Sequence, residues 1–219
     1  THIHGYGGLD TSDLKLNEMS KFLADKGTTS WLPTAMTLSH EHYLNITSTD
    51  LKTEGAEVLG FHLEGPYLSK AKKGAQNEDY IVKPDIEKFK QYKNVLKITI
   101  APEEEGAIDF IKQVNCHVSI GHTCCDKETA LKAIDAGADC LTHTFNAMPP
   151  LHHRDPGPIG AAIDRNIYVE VIGDGMHVNK SIVLMLYRTF GSDRVIIISD
   201  TVRPAGMPDG KYDSGGLDI

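Results

Sequence analysis

Short apolar runs alternate with amphipathic segments along most of the chain. The apolar runs are rich in β-branched residues, which is typical of buried strands, whereas the segments between them carry apolar residues at helical spacing. On this pattern seven strands are predicted, at 28–34, 58–64, 95–101, 116–122, 138–143, 167–173 and 194–200. An eighth strand is expected to lie mostly before residue 1, so that only residues 1–4 of it remain.

Helices are predicted between most of these strands. They cover 14–27, 39–52, 85–92, 103–114, 126–136 and 180–190, with a short helix after a Pro- and His-rich loop at 146–158. Asp126 is expected to cap the N-terminus of the 126–136 helix, and Gly137 to end it. The segments 66–82 and 201–219 are predicted to be loops because they are polar or rich in Gly and Pro.

Regular alternation of strands and helices favours a parallel sheet, and about eight such units in ~250 residues describe an α/β TIM (β/α)8 barrel. A doubly wound open sheet is the alternative, although no Gly-rich dinucleotide loop follows any strand. A single domain, 1–219, is expected, because no linker or repeat interrupts the chain. We expect this barrel to be truncated at both ends.

Charge, hydropathy and cysteine content indicate which partners and which cellular location to expect. The net charge is −8, with no basic stripe, so no nucleic acid partner is expected. No apolar stretch approaches the ~20 residues of a membrane span, so no membrane partner is expected either. Four cysteines without a C-x-x-C motif suggest a reduced, cytoplasmic protein.

Side chains that can bind metal or move protons stand at the C-terminal ends of successive strands. A barrel brings these ends together at one mouth. His2 and His4 are two residues apart, and both imidazoles of such a pair point to the same side of a strand. Glu64, His122 and His143 would supply three ligands and leave a position for water, whose pKa a metal lowers toward ~7.

Asp200 lies two residues after the apolar run Val195–Ile198, at the predicted end of the last strand. We interpret it as the general base toward the water and then the general acid toward the leaving group. The alternative is an Asp that caps the next turn, which is common after strands.

Several longer motifs carry a family resemblance. The H-x-H pair, F-H-L-E-G-P-Y, K-K-G-A-Q-N, G-H-T, T-H-T-F-N-A-M, D-G-M-H-V and I-S-D-T follow one another in this order. Together they resemble the N-acetylglucosamine-6-phosphate deacetylases of the amidohydrolase superfamily, from residue 1 to about 206. T-H-x-F-N-A-M with its Pro-rich loop and D-G-x-H is the most specific part.

The resemblance implies a role for each matching position. It implies Glu64, His122 and His143 as ligands of a main divalent metal, zinc or iron, and His2 and His4 as holders of a second, hence one or two metals per subunit. It implies Asp200 as the acid–base residue. It implies a substrate-binding set: Asn146, Ala147, Arg154 for the phosphate, His177 across a dimer interface, and Gln76 where the family often has histidine.

The implied reaction is hydrolysis of the acetamide of N-acetyl-D-glucosamine 6-phosphate to glucosamine 6-phosphate and acetate, in a homodimer. Family members also carry a small β-sandwich domain, which we expect to be absent from this chain. Two alternatives stay open from the residues alone. One is another amidohydrolase, acting on an N-acyl amino acid or a cyclic amide, and the other is a non-catalytic sugar-phosphate-binding fragment.

Overall fold

Thirteen strands and seven α-helices are present in the computed structural model, which describes residues 1–214 and 217–218. The strands are β1 (Gly5–Tyr6), β2 (Leu9–Asp10), β3 (Ser30–Trp31), β4 (Thr34–Ala35), β5 (Glu57–Val58), β6 (Phe61–Glu64), β7 (Val95–Ile100), β8 (His117–Ile120), β9 (Ala138–Leu141), β10 (Tyr168–Ile172), β11 (Val195–Ile198), β12 (Asp213–Ser214) and β13 (Leu217–Asp218). The helices are α1 (Leu16–Asp25), α2 (His40–Thr47), α3 (Ile86–Phe89), α4 (Ala107–Ile111), α5 (Lys127–Ala136), α6 (Gly157–Arg165) and α7 (Lys180–Phe190).

Seven of the strands form one curled sheet in the spatial order β11-β10-β9-β8-β7-β6-β4, and all neighbours in it are parallel. The predicted α/β class with a parallel sheet is therefore confirmed. A helix follows most strands of the sheet, as right-handed crossovers between parallel strands require.

The N-terminal segment joins the two edges of this sheet. On one side Ile3 forms a parallel bridge with Pro33, and the N–H of Thr34 donates to the carbonyl of Ile3 at 2.9 Å. On the other side the N–H of His4 donates to the carbonyl of Thr201 at 2.9 Å. Residues 2–4 consequently lie between β4 and the segment that follows β11.

The two faces of the sheet differ in chemistry. Ile98 and Ile100 of β7 are fully buried in the apolar core that also contains the small residues of α5 and α6. The alternate residues Lys97 and Thr99 point to the opposite face, as the two-residue period of a strand dictates. There they meet the polar side chain of Glu170 and other residues from distant strands. The inner face of the curled sheet is therefore polar and buried.

Several element boundaries differ from those predicted. The expected strand 28–34 is split into β3 and β4, since Pro33 lies between them and lacks the N–H that a central strand donates. The expected helix 103–114 begins only at Ala107, because Gly106 has a left-handed backbone with φ of 87°. The cap of α5 is confirmed, since Asp126 accepts a hydrogen bond from the N–H of Thr129 at 2.8 Å.

The two predicted loops also contain regular structure. Residues 66–82 include 3₁₀ turns at Lys70–Lys72 and Glu78–Tyr80. In the tail, β12 and β13 form a small antiparallel ribbon, so the prediction of a plain loop was wrong there, while its residues 215, 216 and 219 lie outside the described ones. Within the described ranges, no helix is long and apolar enough to cross a lipid bilayer.

Candidate metal centre and active site

The predicted ligands meet at the C-terminal ends of the strands, around the carboxylate of Glu64. Glu64 is the last residue of β6, and His122 and His143 follow β8 and β9 by two residues. His2 and His4 reach the same point from the N-terminal segment. All five side chains are buried, with at most 5% of any residue exposed.

Two of these residues and the nearby Asp200 share an unusual backbone conformation. His122, His143 and Asp200 have positive φ angles of 46°, 30° and 51°. Such angles are uncommon for residues with a Cβ and cost on the order of 1–3 kcal/mol each. Surrounding bonds maintain them, including that from the N–H of Ser69 to the carbonyl of His122 at 2.9 Å. The surrounding hydrogen bonds thus hold a strained backbone at these positions, and this backbone directs the side chains toward the cluster.

Glu64, His122 and His143 form the first cluster of ligand atoms. Oε1 of Glu64 lies 2.9 Å from Nε2 of His143 and 3.2 Å from Nε2 of His122, and the two nitrogens are 3.1 Å apart. All three ligand atoms lie within 4.8 Å of one another, as the ligands of a single ion must. We call this cluster the first metal position.

His2 and His4 form the second cluster, again with Glu64. Their Nε2 atoms are 3.2 Å apart, and Nε2 of His4 lies 3.1 Å from Oε2 of Glu64. Nε2 of His2 lies 3.3 Å from Oε1 of the same carboxylate. We call this cluster the second metal position. Glu64 belongs to both positions, so its carboxylate is placed to bridge them.

The donor chemistry of these residues fits a divalent transition metal. Nδ1 of His122 lies 2.8 Å from the carbonyl of Lys72, and Nδ1 of His4 lies 3.1 Å from the carbonyl of Thr34. A carbonyl can only accept, so each Nδ1 donates, and each ring in its neutral form presents the lone pair of Nε2 to the centre. Imidazole and carboxylate ligands in such a set suit zinc or iron.

The charge around the centre favours a cation. Burial lowers the pKa of His2, but the charges of Asp200 and Glu64 outweigh it and raise that pKa to about 9. Burial is likewise outweighed at His4, where hydrogen bonds to Asp200 and Glu64 raise the pKa to about 10. Conversely, the imidazoles hold the pKa of Glu64 well below its usual value. Without metal, the centre therefore retains protons that a metal ion would displace.

Asp200 stands at the open side of the cluster. Its Oδ1 lies 3.1 Å from Nε2 of His2 and 3.3 Å from Nε2 of His4. Its side chain is 18% exposed, compared with 3% for Glu64, so it is the carboxylate that a bound substrate can approach. In the metal-free chain the charge of His2 outweighs burial and lowers the pKa of Asp200 to about 2, which keeps the carboxylate ionised.

Gln76 lies behind Glu64 rather than at an open surface. It is 2% exposed, its Nε2 donates to Oε2 of Glu64 at 2.5 Å, and its Oε1 accepts from the N–H of Thr37 at 2.6 Å. Both polar groups of the side chain are thus bonded within the protein. This arrangement makes Gln76 a support for the Glu64 carboxylate.

The other predicted substrate contacts lie on loops beyond the cluster. Asn146 adjoins it, since its N–H and side-chain amide both donate to the carbonyl of His143. The carbonyl of Ala147 accepts from the N–H of Thr123 at 3.0 Å. Arg154 is exposed, and so is His177, whose Nδ1 lies 2.7 Å from Oδ2 of Asp174. The structure brings the predicted ligands and Asp200 together, and leaves Arg154 and His177 on the surface.

Two charged residues of the inner face were missed from the sequence. Lys97 and Glu170 each interrupt an apolar strand, and their side chains form a buried ion pair with Nζ 2.5 Å from Oε1. Oε2 of Glu170 faces Nδ1 of His2 at 3.4 Å. A charge in the middle of an apolar strand was the available signal, because such a residue is rarely buried without a partner.

Comparisons with known proteins agree with the motifs. No family model matches the chain. It is 40% identical to an N-acetylglucosamine-6-phosphate deacetylase of Lysinibacillus sphaericus over 98% of its length, and 36% identical to an N-acetylgalactosamine-6-phosphate deacetylase of Escherichia coli over 100%. A mutant N-acetyl-D-glucosamine-6-phosphate deacetylase of Mycobacterium smegmatis, solved in complex with N-acetyl-D-glucosamine-6-phosphate, superposes with a TM-score of 0.91 and 32% identity over 100% of the chain. The chain spans 60–62% of the length of these proteins.

Proposed function

Because this chain is related over its whole length to the N-acetylglucosamine-6-phosphate deacetylases, we propose that it hydrolyses the N-acetyl group of N-acetyl-D-glucosamine 6-phosphate. The products are glucosamine 6-phosphate and acetate. The observation that carries the proposal is the meeting of Glu64, His122 and His143 beside Asp200. These four residues come from four different strand ends, and a purely structural role would not require them to share one point.

The proposed cofactor is one or two divalent ions per chain, zinc or iron. Glu64, His122 and His143 would hold the first, and His2, His4 and Glu64 the second. When bound, such an ion polarises an amide carbonyl and lowers the pKa of water toward ~7.

Asp200 moves the protons of the proposed reaction. Its carboxylate accepts a proton from the attacking water as the new C–O bond forms at the acetyl carbon. It returns that proton to the amide nitrogen as the C–N bond breaks, so that the amine leaves neutral. Its partial exposure lets one carboxylate oxygen reach the substrate.

The loops around the cluster would position the sugar phosphate. Arg154 offers a planar guanidinium that suits a phosphate group, and it is exposed on the loop that follows His143. Asn146 and Ala147 lie on the same loop, closer to the cluster. We assign His177 to the sugar or the phosphate, because it is exposed and its ring is oriented by Asp174.

The remaining proposals concern the whole molecule. Hydrogen bonds on both sides of the N-terminal segment support a single domain of the (β/α)8-barrel type. We further propose a homodimer, in which His177 reaches the site of the other subunit. Four free cysteines are consistent with a cytoplasmic location.

Replacement of Asp200 by Asn tests the proposed function. Asn has the same shape and also tolerates a positive φ, so we expect metal binding to persist while kcat falls about 10²–10⁴-fold. Asp135→Asn is the matched control, since Asp135 pairs with Arg165 on the outer helices. Near-normal turnover in Asp200→Asn would contradict the assignment.

The substrate is tested with three acetylated sugars and the same protein. N-Acetylglucosamine 6-phosphate is expected to have the highest kcat/KM. Its unphosphorylated form is expected to be much poorer, because it lacks the group that Arg154 would bind. The third compound is N-acetylgalactosamine 6-phosphate, the sugar named for one of the relatives. A higher kcat/KM for it would change the proposed substrate but not the proposed deacetylation.

A further inference from the structure

A buried ion pair crosses the inner face of the sheet below the metal centre. Lys97 of β7 and Glu170 of β10 are 5% and 0% exposed, with β8 and β9 between their strands. Nζ of Lys97 lies 2.5 Å from Oε1 of Glu170, and Oγ of Thr1 donates to the same oxygen at 2.7 Å. Both charges are therefore compensated, and both residues are almost fully buried.

Stability alone does not explain this pair. Removing two charges from water costs several kcal/mol per ion, and replacing a buried pair by apolar residues of similar volume is often neutral or stabilising. The neighbouring inner-face residues Thr99, Ser119 and Thr142 satisfy one another with neutral hydrogen bonds. The charges of this pair therefore indicate a role that neutral side chains could not fill.

The free oxygen of Glu170 supplies that explanation. Oε1 is occupied by Lys97 and Thr1, and this leaves Oε2 facing Nδ1 of His2 at 3.4 Å. A carboxylate in this position accepts a hydrogen bond from Nδ1–H, so the proton of the neutral ring stays on Nδ1 and the lone pair of Nε2 is presented to the metal. Nε2 of His2 indeed faces away from Glu170, toward Glu64, His4 and Asp200.

Among the four histidines of the centre, His2 is the one whose outer nitrogen faces a charged group. Nδ1 of His4 and of His122 faces a backbone carbonyl, and Nδ1 of His143 has no hydrogen-bond partner within the described residues. The backbone carbonyl of Glu170 also accepts from the N–H of Thr144, next to His143, but that bond does not depend on the side chain. The carboxylate therefore acts on His2 and the second metal position.

We propose that Lys97 and Glu170 are positioning residues that orient His2 and thereby set the affinity of the second metal position. Lys97 fixes the Glu170 carboxylate, Glu170 fixes the His2 ring, and the first metal position is left unaffected. The inference rests on the proposed metal centre, and it adds a residue pair that controls how many ions the chain retains.

The test compares metal binding in the wild-type chain, Glu170→Gln, and a Lys97→Met/Glu170→Leu double variant. The double variant removes both charges together, so no uncompensated charge is buried and the fold is retained, as circular dichroism would verify. Zn²⁺ affinities come from competition with a chromophoric chelator, and Co²⁺ absorption reports the geometry of each position. Asp139→Asn is the control, because Asp139 pairs with the exposed ring of His117.

We expect the double variant to bind one ion with wild-type affinity and the second about 10–100-fold more weakly, a loss typical of removing a carboxylate that supports a ligand histidine. Glu170→Gln retains an oxygen that can accept from Nδ1, so its loss should be smaller. In a His2→Asn background the same changes should have no further effect, because the ring on which they act is absent.

Three results would overturn the inference. Wild-type affinity for both ions in the double variant would show that the pair does not influence His2. Equal weakening of both ions would show a general structural role. An effect that persists in full in the His2→Asn background would show that the pair acts elsewhere. Failure of the proposed metal centre is distinguishable from all three, since the wild-type chain itself would then bind no ion. Failure of the proposed deacetylation alone would leave these ion affinities unchanged.

Discussion

Loading the metal-free chain with Zn²⁺ at pH 7 should release at least about two protons, and this is the most direct test of the centre. The number of protons that the imidazoles hold without metal is set by the buried carboxylates. Asp200 and Glu64 outweigh the burial of the two rings and raise the pKa of His2 to about 9 and that of His4 to about 10. Each ring must lose its proton before its Nε2 can bind metal.

The expected number follows from these values. A group with a pKa of 9 is about 99% protonated at pH 7, and one with a pKa of 10 is more so, whereas two unperturbed histidines would together carry only about half a proton. The pKa of His122 is also raised, because the charge of Glu64 outweighs burial, so this ligand can only add to the total. The difference between about two protons and about half a proton is well within reach of calorimetry.

Isothermal titration calorimetry in buffers of different ionisation enthalpy measures the number directly. The slope of the observed enthalpy against the ionisation enthalpy of the buffer is the number of protons released. The control is a His2→Asn/His4→Asn double variant, in which the release should fall by about two protons. A release below about one proton in the wild-type chain would refute the reasoning, because the two imidazoles would then be neutral without metal or would not be ligands.

Three further predictions follow from the same geometry. Gln76→Leu removes the donor to Oε2 of Glu64, and we expect a 10–100-fold loss of metal affinity in chelator competition. Arg154→Ala should mainly raise KM for the phosphorylated sugar in steady-state assays, with little change for the unphosphorylated one. The raised pKa values of His2 and His4 stabilise the metal-free fold fully below about pH 6.5, and this contribution is lost as the pH rises through 9 and 10. The Tm of the metal-free chain, measured by calorimetry, should therefore fall across that range.

The architecture could be predicted from the sequence because the apolar runs are short, regularly spaced and separated by helical patterns. The runs ending near Glu64, His122 and His143 became β6, β8 and β9, and their order along the chain became their order in the sheet. Local signals also identified the cap of α5, since Asp126 needs only a neighbouring N–H to act. The predicted bounds differed at 28–34, where a proline divides the run, and at the start of the 103–114 helix, where Gly106 has a left-handed backbone.

The centre was less predictable where its parts depend on contacts between distant strands. Lys97 and Glu170 are separated by many residues, and nothing in either strand indicates that the two charges meet. Gln76 lies in a segment predicted to be a loop, and its support of Glu64 depends on a bond to the N–H of Thr37. Such relations are set by the curl of the sheet, which brings distant strands together and which the periodicity of a single strand does not encode.

The positive φ angles at His122, His143 and Asp200 decide which substitutions can remove these side chains without straining the backbone. A left-handed residue just after a strand turns the chain away from the sheet and directs its side chain over the strand end. Alanine or a β-branched residue at these positions would remove the ligand and also increase the backbone strain, so lost activity could not be attributed to the metal. Asparagine tolerates this conformation. A substitution such as His122→Asn should therefore keep the metal-free fold near its wild-type Tm while metal binding is lost, and a large drop in that Tm would mean that the ring supports the fold itself.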